Sequence, residues 1–112
     1  MNRSRVLAGL SALANATRLE LVRGLIGRGP EGMTAGDIAR DLDISASRLS
    51  FHLAQLEQAG LITSRRESRN VFYAVDAAGM GGVIGYLLND CCHSHPEVCD
   101  CCTPRPQTGC TG

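Results

Sequence analysis

Apolar residues recur at helical spacing along most of this chain, and that pattern, with its caps and breaks, predicts the elements in order. Val6, Leu7, Leu10, Leu13 and Ala14 follow i, i+1, i+4, i+7, i+8 and predict a first helix over residues 4–14, with Arg3 and Arg5 at its start. Thr17-Arg18-Leu19-Glu20 reads as a capping box opening a second helix through Leu21, Val22, Leu25 and Ile26. Gly27-Arg28-Gly29-Pro30-Glu31-Gly32 ends it. Two short helices joined by a tight turn are expected over residues 34–59. Thr34 is the N-cap of the first, with Asp37 three residues on, where a capping box places an acid. Ser45 is the N-cap of the second, and Gly60 stands where that helix should stop.

Leu61 to Arg66 and Asn70 to Val75 are short runs around the polar turn Glu67-Ser68-Arg69, a β-hairpin pattern. Asp76 then caps a last helix on which Met80, Val83, Ile84, Leu87 and Leu88 run i, i+3, i+4, i+7, i+8. Gly79, Gly81, Gly82 and Gly85 would weaken that helix in isolation by about 1 kcal/mol each relative to alanine. They also leave room for another backbone, so the helix is expected to pack against something large. Two partners fit: the chain's own core, or a second subunit meeting Leu7, Leu10, Met80, Val83, Ile84 and Leu87. The fold class is mostly α with a small β-hairpin.

Leu49, Leu53 and Leu56 give the helix after Ser45 one apolar face. At 100° per residue, Ser47, Phe51 and Ala54 fall on the opposite side, with Arg48 and Gln55 on one flank and Ser50 on the other. Small polar groups, an arginine and an exposed aromatic make poor core. They suit base edges, thymine methyls and phosphates. An ordinary helical hairpin is the competing reading of this segment alone. His52 lies toward the flank of the leucine face, where packing and a DNA contact are both open. Arg65, Arg66 and Arg69 cluster at the tip of the following β-hairpin, placed as a wing for phosphates or the minor groove.

Composition sharpens this in three places. The 112 residues carry no formal net charge, so no global field draws in nucleic acid, and the length allows one domain with a modest core and a need for a partner. All eleven basic residues are arginine, whose planar fork suits guanine edges and phosphates. Between Ser45 and Asn70, Arg48, Arg65, Arg66 and Arg69 outnumber Glu57 and Glu67, a local excess of positive charge. No apolar run reaches the length of a membrane span. Residues 3–16 imitate a secretory leader, but Gly9 and Ser11 interrupt its apolar stretch and the helical stripe explains it better, so a cytoplasmic location is expected.

Taken in order, helix, helix, helix-turn-helix, hairpin and helix, the chain resembles the ArsR/SmtB family of metal- and metalloid-responsive winged-helix repressors over about residues 5–89. The marks are Leu13-Ala14-Asn15-Ala16-Thr17-Arg18-Leu19, Ser45-Ala46-Ser47-Arg48-Leu49-Ser50-Phe51-His52-Leu53, Leu56-Glu57-Gln58-Ala59-Gly60-Leu61-Ile62 and Arg65-Arg66-Glu67-Ser68-Arg69-Asn70-Val71-Phe72-Tyr73. Phe51 departs from the family, which often carries a second histidine beside His52. The resemblance implies no enzyme but a homodimer, joined through its first and last helices, on an inverted-repeat operator in double-stranded DNA. Ser47, Arg48, Ser50, Phe51 and His52 would meet the major groove, and Arg65, Arg66 and Arg69 would serve the wing. Residues 1–89 would form the DNA-binding and dimerisation domain, and residues 90–112 a tail carrying the inducer site.

All six cysteines, Cys91, Cys92, Cys99, Cys101, Cys102 and Cys110, lie in that tail or at its start. Such crowding points to metal chemistry or redox rather than core packing. One group of the family holds trivalent arsenic with an adjacent cysteine pair and a third thiol some six or seven residues on. Cys91, Cys92 and Cys99 resemble that set, with Cys101 and Cys102 as further candidates for the third ligand. Soft thiolates select soft ions, and As(III) or Sb(III) forms a neutral product with three thiols. Zn or Cd, aided by His93 and His95, remains the alternative inducer, and an oxidant-sensing thiol switch or a thiol metal carrier are two others. Cys99 to Arg105 also matches the C-x5-R loop of thiol phosphatases, but Pro104 and Pro106 flank the arginine and no helix pattern follows it.

Overall fold

Side-chain caps set the helix boundaries. The computed structural model describes residues 2–91 and orders them as α1 (Arg3–Leu13), α2 (Ala16–Arg28), a 3-10 turn (Gly29–Glu31), β1 (Met33–Thr34), α3 (Ala35–Leu42), α4 (Ala46–Gln58), β2 (Ile62–Glu67), β3 (Asn70–Val75) and α5 (Ala77–Cys91). Thr34 accepts the Asp37 amide at 3.2 Å and Ser45 the Arg48 amide at 3.3 Å, the two caps expected from sequence. Asp76 accepts the Gly79 amide at 3.1 Å and opens α5, also as expected. The capping box expected at Thr17 is displaced. Asn15, in an extended backbone, accepts the Arg18 amide at 3.1 Å, so α2 starts earlier and Thr17 falls inside its first turn. Asn2 caps α1 in the same way.

The β-hairpin is present, but it belongs to a three-stranded antiparallel sheet ordered β1-β3-β2. Met33 pairs with Tyr73 and Thr34 with Phe72, so a strand too short to show alternation joins the far edge of β3. Thr34 therefore has two roles, the last rung of β1 and the N-cap of α3. The turn between α3 and α4 pivots on Asp43, in the left-handed region at φ 55°, a conformation that aspartate tolerates better than most residues.

A single core forms where α1, α2, α3, α4, the sheet and α5 converge. Leu25, Leu49, Leu56 and Leu61 are among its fully buried side chains. The leucine face predicted for α4 is buried in full. On α1 the stripe is rotated from the expectation: Val6, Gly9 and Ala12 face inward, while Leu7 and Leu10 are exposed. Small residues win the inward positions because α5 lies close, with Val83 seated against Gly9. Val83 is buried and Met80 packs on the core, so neither stands on an exposed surface where a second subunit was expected to meet it. Leu7, Leu10, Ile84 and Leu87 do. Gly79 makes the close backbone approach foreseen for a partner, but within the chain: a Cβ there would run into the Gly60 carbonyl. Among the described residues, no helix is long and apolar enough to cross a membrane.

Candidate nucleic-acid interface

The outward side of α4 carries the residues predicted for it. Ser47, Arg48, Ser50, Phe51 and Ala54 are exposed, and Phe51 is 57% so. Further along, Gln55 and Gln58 line a cleft of about 360 Å³ against Ala8, Ser11 and Ala12 of α1. The N-terminal two turns of α4 are thus the unobstructed part, and in helix-turn-helix proteins those turns meet base edges. Arg48 is exposed, and among the described residues the ion pairs are Arg23–Glu20, Arg40–Asp37 and Arg65–Glu67, none of which engages it.

His52 is not on that surface. It is only 6% exposed, and its Nδ1 lies 3.2 Å from a guanidinium nitrogen of Arg18. Guanidinium only donates, so Nδ1 accepts and the neutral ring carries its proton on Nε2. Burial first, then the charges of Arg18 and Arg48, hold the imidazole below its usual pKa of 6.5. The same arginine donates from Nε to the Ala12 carbonyl at 2.6 Å, at the C-terminal end of α1. Arg18, which no sequence pattern marked as functional, thereby ties α1, α2 and α4 together. The expected DNA contact from His52 is replaced by this packing role, because its position on the helix turns it toward α2.

The wing arginines divide in the same manner. Arg65 faces back onto the protein: it donates to the Pro30 carbonyl at 3.2 Å, the Glu31 carbonyl at 2.9 Å and the Glu67 carboxylate at 2.7 Å. Its guanidinium also lies 5.0 Å from the centre of the Phe72 ring. The side chain is a brace between the 3-10 turn and the sheet, not a reaching arm. Arg66 and Arg69 are exposed at the hairpin end, where Ser68 takes a left-handed φ of 56°. Ser64 donates to Glu57 at 3.0 Å and fixes the base of the wing to α4. Arg48, Arg66 and Arg69 are thus exposed on two elements, α4 and the hairpin, that are tied to each other through Ser64 and Glu57.

Cys91 is the final residue of α5, while Cys92, Cys99, Cys101 and Cys102 lie outside the described residues. Among the described residues, no group of three His, Cys, Asp or Glu side chains is placed to hold a metal ion.

Comparison with known proteins places these features. A family model described as a helix-turn-helix domain matches residues 13–65. The transcriptional activator HlyU of Vibrio cholerae is 30% identical over 94 residues, 84% of either chain. Its solved structure superimposes with a TM-score of 0.64 over 82% of this chain and 99% of that one. A Streptomyces lividans protein named for repression of a mercury resistance operon is 30% identical over 88% of this chain and 75% of its own. A Halobacterium salinarum protein named for repression of an arsenical resistance operon is 42% identical over 60 residues, 54% of this chain and 46% of its own.

Proposed function

Because this chain belongs to the ArsR/SmtB family of winged helix-turn-helix transcriptional regulators, we propose that it is a homodimeric repressor released from its operator by trivalent arsenic or antimony. Repression is the role named for the mercury and arsenical relatives, whereas HlyU is named as an activator. Ser47, Arg48, Ser50 and Phe51 meet the major groove, and Arg66 and Arg69 meet flanking phosphates. Self-association uses Leu7, Leu10, Ile84 and Leu87, which are exposed on two helices that pack together. Covering each of these half-exposed side chains contributes roughly 1 kcal/mol.

One observation carries the inducer assignment: α5, half of the self-association surface, ends on Cys91 at the head of the cysteine-rich tail. Thiols drawn together there act directly on the helix that sets the spacing of the two reading heads. Cys91, Cys92 and Cys99 are the assigned ligands, with Cys101 or Cys102 able to supply the third sulfur. An inducer weakens DNA binding only by its preference for the DNA-free conformation, and clearing an operator takes a coupling of about 3 kcal/mol. Relatives named for mercury and arsenical resistance support a sulfur-seeking ion.

The test is operator binding by the reduced protein titrated with arsenite, antimonite, zinc, cadmium and peroxide. Release by arsenite and antimonite, lost in Cys91→Ser and Cys92→Ser while operator affinity stays intact, supports the reading. Release by zinc or cadmium, or by peroxide alone, replaces the inducer and leaves the repressor. Normal arsenite release by both variants moves the site elsewhere.

A further inference from the structure

Phe51 lies in the middle of the outward side of α4, 57% exposed, between the small exposed residues Ser47 and Ala54. It stands on a different helix from the apolar surface of α1 and α5, so self-association does not account for it. Its ring meets the His52 ring edge-on, with centroids 5.5 Å apart and planes at 66°. His52 is in turn held by Arg18, so the base of the phenyl group rests on a fixed support. A phenyl ring neither donates nor accepts a conventional hydrogen bond, and it gains nothing from a phosphate or from a polar base edge. Within the major groove the apolar group at the base edges is the C5-methyl of thymine.

We propose that Phe51 is a specificity-determining residue that reads a thymine in each half-site by packing against its 5-methyl group. The inference rests on the DNA-binding reading above and names the base that reading leaves open. Ser47, Arg48 and Ser50 surround the ring with hydrogen-bonding groups for neighbouring positions, so one apolar contact sits within an otherwise polar reading surface. The discrimination is by shape and desolvation: uracil, which lacks only the methyl, isolates that contact, whereas cytosine also exchanges the hydrogen-bonding groups of the pair.

The experiment selects duplexes from a random pool with the full-length reduced protein. Thymines of the enriched site are then replaced one at a time by deoxyuridine, which deletes the methyl and nothing else. At one position per half-site the wild-type protein should lose about fourfold in affinity, the worth of one buried methyl group. Phe51→Ala, which removes the ring from both subunits, should bind the thymine duplex about as weakly as the wild type binds a duplex with uracil in both half-sites, and should be indifferent to the exchange. Its thermal unfolding midpoint should match the wild type, because the side chain it lacks is exposed. Wild-type indifference at every thymine overturns the proposal, as does an undiminished methyl effect in Phe51→Ala. Failure to enrich any duplex overturns the DNA-binding reading itself, whereas an enriched but methyl-blind site overturns this inference alone.

Discussion

Arg18 and His52, 34 residues apart in sequence, meet at 3.2 Å and join the start of α2 to the recognition helix. The contact requires a neutral imidazole, since a protonated ring would place two cations together. Burial and the two arginine charges lower the folded-state pKa below 6.5, so the unfolded chain takes up a proton that the folded chain refuses. Stability from this group is complete above pH 6.5 and declines as the pH falls through the folded-state value. Denaturant unfolding at pH 7.5 and pH 5.5 should show the loss, and His52→Gln, which keeps an acceptor without a titrating ring, should flatten it. Arg18→Ala should cost about 1–3 kcal/mol at neutral pH by leaving His52 and the Ala12 carbonyl without their donor.

Arg65 and Arg66 are adjacent in sequence but opposite in commitment. Arg65→Ala should destabilise the wing and lower the unfolding midpoint while leaving the salt dependence of operator binding nearly unchanged. Arg66→Ala and Arg69→Ala should each reduce the slope of log affinity against log salt by about 2 for the dimer, one phosphate contact per subunit, without changing stability. Arg48→Ala should cost about 1–3 kcal/mol of operator affinity if its guanidinium reads a base. Fluorescence anisotropy across a salt series measures all four, and unchanged affinity for Arg48→Ala removes that residue from the interface.

Gly79 and Gly81 stand two residues apart on α5 and should respond to alanine with opposite signs. A methyl group at Gly79 meets the Gly60 carbonyl, so Gly79→Ala should cost about 3 kcal/mol or fail to fold. At Gly81 a Cβ meets nothing within 4 Å, and Gly81→Ala should stabilise the helix by about 0.5–1 kcal/mol. Denaturant midpoints of the two variants decide this.

Leu7 and Ile84 test the self-association surface against the core. Leu7→Glu and Ile84→Glu should yield a folded monomer in sedimentation, with weakened operator binding. Val83→Ala should instead lower stability by about 1–3 kcal/mol and leave the oligomeric state alone, because Val83 is buried against Gly9 within the chain. A dimer that survives both glutamates refutes the surface.

The elements most readable from sequence were those whose signals are local. The caps at Thr34, Ser45 and Asp76 depend on a side chain three residues from the amide it accepts, and each appears where expected. What was not legible depended on distant partners. Met33 and Thr34 become a strand only because Tyr73 and Phe72 lie alongside. Val83 looks like its exposed neighbour Ile84 until Gly9 is placed against it. Arg65 and Arg66 carry the same side chain, yet carbonyls from residues 30 and 31 commit one of them to the fold. His52 was ambiguous from periodicity because it sits at the margin of the leucine stripe, and Arg18 resolves it.

Thr34 has a mechanical corollary. One residue ends the strand that borders the wing and begins the helix that precedes the recognition helix, so the two arms proposed to grasp the duplex share a residue of their framework. The ordering entropy a floppy wing would surrender on meeting DNA has already been spent during folding. On the proposed reading a duplex meets a preformed caliper, and a change in its bite comes from how two such calipers are mounted on one another.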